Sequence, residues 1–141
     1  MTQIPRGKAR KSGRARAIVP LLIMGAMFVV SGAPQAVPAL PAGGDKVLHA
    51  AAYAALGLTW CWALSSPARP VWRTALLAFA VAVTWGLSDE YHQSHVPGRV
   101  ASWGDVAADA VGAALACGAW AHFAARARAR AREALTSPGE A

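Results

Sequence analysis

The chain is short of charge, and of acids above all. Charged residues fill 15% of its 141 positions, and only seven are Asp or Glu. A soluble domain carries about a quarter, so the scarcity argues against a surface that meets water on every side. Cysteine is just as sparse. Cys61 and Cys117 stand alone inside apolar runs, with neither a metal motif nor a disulfide framework around them, and read as small packing residues. No period-two alternation appears, which argues against a transmembrane β-barrel. No repeat of fixed period is visible either. G-x-S-x-G and H-E-x-x-H are both missing, so neither a nucleophile elbow nor a helical zinc signature is present. There is also no knot of several Lys and Arg of the kind that grips phosphate.

What the chain does have is apolar length: hydrophobic residues make up 55% of it. A spanning helix needs roughly 17–25 mostly apolar residues, and four segments approach that. Residues 17–33 hold no charge, 47–64 only His49, 71–87 Arg73 near the start, and 106–125 Asp109 and His122 near the ends. The expected fold is all-α with four transmembrane helices. Residues 17–125 would form the membrane domain, between a basic tail at 1–16 and a basic, partly disordered tail at 126–141. The first segment also resembles a signal peptide ending at Ser31-Gly32-Ala33. Pro34 directly after that site argues for a retained helix. Trp72 and Trp85 read as aromatic anchors of the third span, and Trp60 and Trp62 as the belt at the inner end of the second.

Lysine and arginine in the flanks set the orientation. Six lie before the first span and four (Arg126, Arg128, Arg130, Arg132) after the last, while Arg69 and Arg73 link the second and third. The other two links hold only Lys46 and Arg99. This asymmetry predicts both termini in the cytoplasm and a multi-pass protein of the plasma membrane. The net charge of +7 then marks contact with anionic lipid at the cytoplasmic face rather than with nucleic acid.

The remaining charge collects in SDEYHQSHVPGRVASWGDVAADA, residues 88–110, which this topology puts on the outer face. Asp89, Glu90, Arg99, Asp105 and Asp109 are all there, with His92, Gln93 and His95; Asp45 and Lys46 open the second span on the same side. At helical spacing Asp45, His49 and Tyr53 share a face, as do Asp105, Asp109 and Gly112. Asp109 lies about one turn inside its span, where an ionised carboxylate costs roughly 2.5–3.5 kcal/mol, so it should point inward and find a partner. Gly112 and Ala116 would let another helix come close. Pro97-Gly98 forces a turn and a loop that dips into the bundle mouth.

These residues resemble the VanZ-like family. The resemblance rests on Asp45-Lys46-x-x-His49, Asp89-Glu90-x-x-Gln93, Pro97-Gly98-Arg99, Ser102-x-x-Asp105 and Asp109-x-x-Gly112, in that order over residues 45–118. Trp103 departs from it, where a smaller or polar residue is expected. The resemblance implies a small integral membrane protein of bacteria. Through the family's namesake it implies a link to low-level teicoplanin resistance, and it implies no reaction.

Asp45, Lys46, His49, Asp89, Glu90, Gln93, Arg99, Asp105 and Asp109 are therefore the candidate ligand-binding residues. The ligand would be an envelope small molecule or lipid-linked precursor, and the alternatives are an enzyme on such substrates or an accessory subunit. No cofactor is expected. A metal held by Asp89, Glu90, His92, His95 and Asp105 is disfavoured by the spacing. Part of the cluster should be structural, with the four aspartates paired to Lys46 and Arg99 and Asp105 capping the fourth helix. Asp89 and Glu90 point about 100° apart on a helix, which sends Glu90 toward the mouth or a neighbouring helix.

Overall fold

The computed structural model describes residues 15–33 and 41–136, which are helical and contain no strand. Helix α1 spans Ile18–Ser31, α2 Gly44–Leu64, α3 Val71–Gln93 and α4 Trp103–Thr136. The last three are long and apolar enough to cross a membrane, and α1 is a shorter apolar helix. At 1.5 Å per residue, the 21 and 23 residues of α2 and α3 reach about 32 and 35 Å, which matches a hydrocarbon core of about 30 Å. The 14 residues of α1 reach only about 21 Å, short of the full span expected for 17–33. Pro20 falls in its first turn, where its missing N–H would have had no helical partner.

Large apolar side chains such as Leu22, Val29, Leu76, Leu115 and Phe123 point outward, while the buried positions are filled mainly by small ones, Ala78, Ala82, Ala113, Cys61 and Cys117, around Tyr53 and Leu56. This distribution suits lipid, since tails solvate leucine well and helices associate where small residues let backbones approach. The α2–α4 pair is the most extensive. Its closest approach is at Gly112, where a Cβ would lie 2.0 Å from the Ala50 carbonyl oxygen. The predicted glycine contact is therefore obligatory. Trp60 and Trp85 pack against the core cluster instead of forming a belt, and their indole N–H groups are buried without a partner. Trp62 and Trp72 stay exposed, as anchors should.

Two helices outrun their apolar segments. Helix α3 continues six residues past Leu87 and carries Asp89, Glu90 and Gln93 as helical residues. Helix α4 continues through the arginine–alanine stretch to Thr136, so residues 126–136 extend the helix and the disorder expected for the tail concerns only 137–141, outside the described residues. The basic residues Arg6, Lys8, Arg10, Lys11 and Arg14 lie outside them too. Gly98, at φ 84°, makes the turn that Pro97-Gly98 predicts.

Candidate functional site

The end of α1, the start of α2, the end of α3 and the start of α4 meet on one side of the bundle. Lys46 and Asp45 form an exposed ion pair of 2.9 Å at the start of α2, and Lys46 also pairs with Asp105 on α4. One turn on, His49 Nδ1 lies 2.9 Å from Asp109 Oδ1. The Asp109 carboxyl, only 2% exposed, thus has the inward partner its depth demands. Gly86 makes room for it: a Cβ there would sit 2.9 Å from Asp109 Oδ2 and 3.2 Å from the Tyr53 ring. Another turn down α2, Tyr53 is buried and its hydroxyl has no partner.

On α3, Asp89 accepts hydrogen bonds from Ser31 Oγ at 2.6 Å and from Gln93 Nε2 at 3.0 Å. Glu90 accepts from the Ser102 backbone N–H at 2.7 Å and, more weakly, from Gln93 Nε2 at 3.4 Å. The two neighbouring acids diverge as helical geometry requires, and both are buried with Gln93 between them.

Two expectations are corrected here. Asp105 does not cap α4. Ser102 does, accepting from the Gly104 N–H at 3.1 Å. In a capping box the acid three residues on would return to the cap's own N–H; Asp105 is turned to Lys46 instead, and Glu90 of α3 takes that N–H. Arg99 also fails to pair with the acids. Its guanidinium donates to the Ser31 and Val30 carbonyls at 3.0 and 3.3 Å, satisfying the end of α1 as a cation at a helix C-terminus does. These contacts fold the 94–102 loop back over the bundle end.

His92 stacks on Phe28 with ring centroids 4.3 Å apart, and His95 bonds the Tyr91 carbonyl at 2.9 Å. Neither joins the acids, so the five-residue metal set considered from sequence is not assembled. A different set is: one donor atom each of His49, Glu90 and Asp105 lies within 4.8 Å of the others. They come from three helices, which no local spacing could reveal.

The VanZ/LLP1 family model matches residues 5–124. The chain belongs to the VanZ/LLP1 family. Neither a curated protein nor a solved structure matches it.

In this VanZ/LLP1 chain the polar residues wall a cavity of about 150 Å³ between α1, α2 and α3. It is lined by the polar His49, Asp89, Gln93 and Arg99, by the apolar Met27, Val30, Leu48 and Ala52, and by Tyr53. Asp45 and Ser31 reach it as well. Lys46, Glu90, Asp105 and Asp109 lie outside this wall, and Trp103, 82% exposed, borders a separate groove. Sequence reasoning missed Ser31 and Ser102. The second had a signal, since Ser102-x-x-Asp105 has the form of a helix start; Ser31 had none beyond being a hydroxyl in an otherwise apolar run.

Proposed function

We propose that this VanZ/LLP1 protein is a four-span plasma-membrane protein with both termini in the cytoplasm. Its outward-facing cavity binds the head of an envelope amphiphile. The observation that carries this reading is the Tyr53 hydroxyl, buried without a partner beside a cavity lined by both polar and apolar side chains. A buried polar group left unsatisfied costs about 1–3 kcal/mol, and a ligand hydroxyl or amine reaching it would remove that cost. The mixed wall suits an amphiphile, whose chain can lie against Met27, Val30 and Leu48 while its head meets Asp89 and Gln93.

Electrostatics narrows the class. Arg99 is engaged with backbone carbonyls, so the wall offers carboxylates to a ligand and no free guanidinium. Hydroxyl- or amine-bearing heads are favoured, and a bare phosphate is disfavoured. A glycopeptide such as teicoplanin, or the sugar and peptide part of a lipid-linked cell-wall precursor, has that chemistry. The link to resistance rests on family membership. The basic tails would hold anionic lipid at the cytoplasmic face, worth about 1 kcal/mol per arginine near the surface.

The test is equilibrium binding of teicoplanin and of the lipid-linked precursor to the full chain in nanodiscs. Binding to wild type should weaken about tenfold in Tyr53→Phe, roughly the 1.4 kcal/mol of one hydrogen bond. The variant should fold normally, because it loses only an unpartnered hydroxyl. Equal affinity of the two proteins for both ligands, or no binding to either, refutes the reading.

A further inference from the structure

We propose that His49, Glu90 and Asp105 form a binding site for one divalent transition-metal ion, zinc foremost, at the acid-rich end of the bundle. The site does not depend on the cavity reading, because Glu90 and Asp105 lie outside the cavity wall and only His49 is shared.

The first observation is convergence. One imidazole and two carboxylates, from α2, α3 and α4, bring donor atoms within 4.8 Å of one another. Around a tetrahedral zinc with bonds near 2.0–2.1 Å such atoms stand about 3.3 Å apart, so side-chain adjustment of an ångström or so closes the set. Three protein ligands leave a fourth position open. Imidazole with carboxylate suits zinc or manganese better than magnesium or calcium, which prefer oxygen alone.

The second observation is independent of that geometry: the buried charge does not balance. Asp89, Glu90, Asp105 and Asp109 are each at most 8% exposed. Among the described residues Lys46 pairs with Asp105 while sharing itself with the exposed Asp45, and His49 pairs with Asp109, so Asp89 and Glu90 have no cationic partner. Arg99 is turned to the α1 carbonyls. Buried carboxylates need a compensating cation or proton. A divalent ion on Glu90 and Asp105 would cancel both charges and leave Lys46 to Asp45.

The surroundings are those of a supported site. Asp109 engages His49 at Nδ1, which fixes the ring, and a carboxylate on the far nitrogen of a ligating histidine is common around zinc. The Ser102 N–H holds one oxygen of Glu90.

The full-length chain, without an affinity tag and stripped with chelator in detergent, should take up one zinc per chain and show a raised Tm. Cobalt in its place should give the intense visible absorption of a tetrahedral ion. Asp105→Asn and Glu90→Gln should each weaken zinc binding at least tenfold, whereas His92→Gln should leave it unchanged. Failure of wild type to bind stoichiometric zinc, a weak octahedral cobalt spectrum, or unchanged affinity in both acid variants would overturn the proposal. The cobalt spectrum needs only wild type, so it decides even if neither variant folds. Loss of amphiphile binding in nanodiscs leaves this test untouched.

Discussion

At one end of the bundle four buried carboxylates are held by Lys46, His49, Ser31 and the Ser102 N–H, each reaching from another helix or loop, and by Gln93 one turn along α3. At the other end arginines meet backbone carbonyls and indole rings instead of carboxylates. Arg69 donates to the Leu64 carbonyl at 2.7 Å, Arg128 clasps the α2–α3 turn through the Arg69 and Ser66 carbonyls, and Arg16 and Arg73 lie over Trp62 and Trp72. Long arginine stems can carry their charge to the interface, so such an end tolerates charge cheaply. Short aspartates one turn inside a span cannot snorkel. They have to be answered by the protein itself or by something it binds, and that need ties four helices to one site.

The acid end and the arginine end should face opposite compartments, and an all-or-none labelling experiment decides this. Ala101 and Ala68 are both exposed, in the loops at the acid and arginine ends, and the native Cys61 and Cys117 are buried. Ala101→Cys should react with a membrane-impermeant thiol reagent in intact cells, and Ala68→Cys only after lysis. Labelling of Ala68→Cys from outside would invert the topology.

The next largest effect belongs to Asp109. Asp109→Ala removes the partner of a partly buried imidazole and opens space beside Gly86, and should cost about 3 kcal/mol. Asp109→Asn keeps the shape and one hydrogen bond and should cost about half as much. Thermal stability of the two purified variants checks the order, and equal wild-type values would show that the acid end is not held by cross-helix pairing.

A double-mutant cycle on Ser31 and Asp89 sharpens the point. Their 2.6 Å bond is buried and joins α1 to α3, so the coupling should be about 1–2 kcal/mol. Coupling near zero would mean that α1 is only loosely attached. The same bond bears on the Ser31-Gly32-Ala33 motif, because cleavage there would remove a residue that holds Asp89. N-terminal sequencing of the mature protein should find α1 retained.

Composition made the helices legible, because apolar length is a one-dimensional signal. So was the clustering of acids on one side, because lysine and arginine counts sort loops by side. Face relations survived as well: Asp45, His49 and Tyr53 do descend along one face of α2 into the cavity. What stayed hidden is pairing across helices. Nothing local announces that Glu90 takes the cap N–H of α4, that Ser31 binds Asp89, or that Arg99 serves α1 instead of a carboxylate. The sequence counts charges, and partners are chosen by helix packing at positions such as Gly86 and Gly112 that bear no charge. The apolar spans do not mark the helix ends for a related reason: polar residues end an apolar segment without ending a helix, as α3 and α4 both show.

The smallest effects belong to the arginine end, and they differ by neighbour. Arg128 bonds two carbonyls of the α2–α3 turn at 2.9 and 2.8 Å, so Arg128→Gln should cost about 1 kcal/mol. Arg130, two residues beyond and exposed, has no protein hydrogen bond among those of the described residues, and Arg130→Gln should change stability by less than about 0.5 kcal/mol. Both substitutions remove one positive charge, and by the lipid argument both should weaken binding of the purified protein to anionic vesicles by a similar factor. Stability and lipid affinity should therefore separate at this end, with Arg128 affecting both and Arg130 only the second. If Arg130→Gln destabilises the fold as much as Arg128→Gln, charge at this end is structural after all. The contrast with the acid end would then be one of residue type alone.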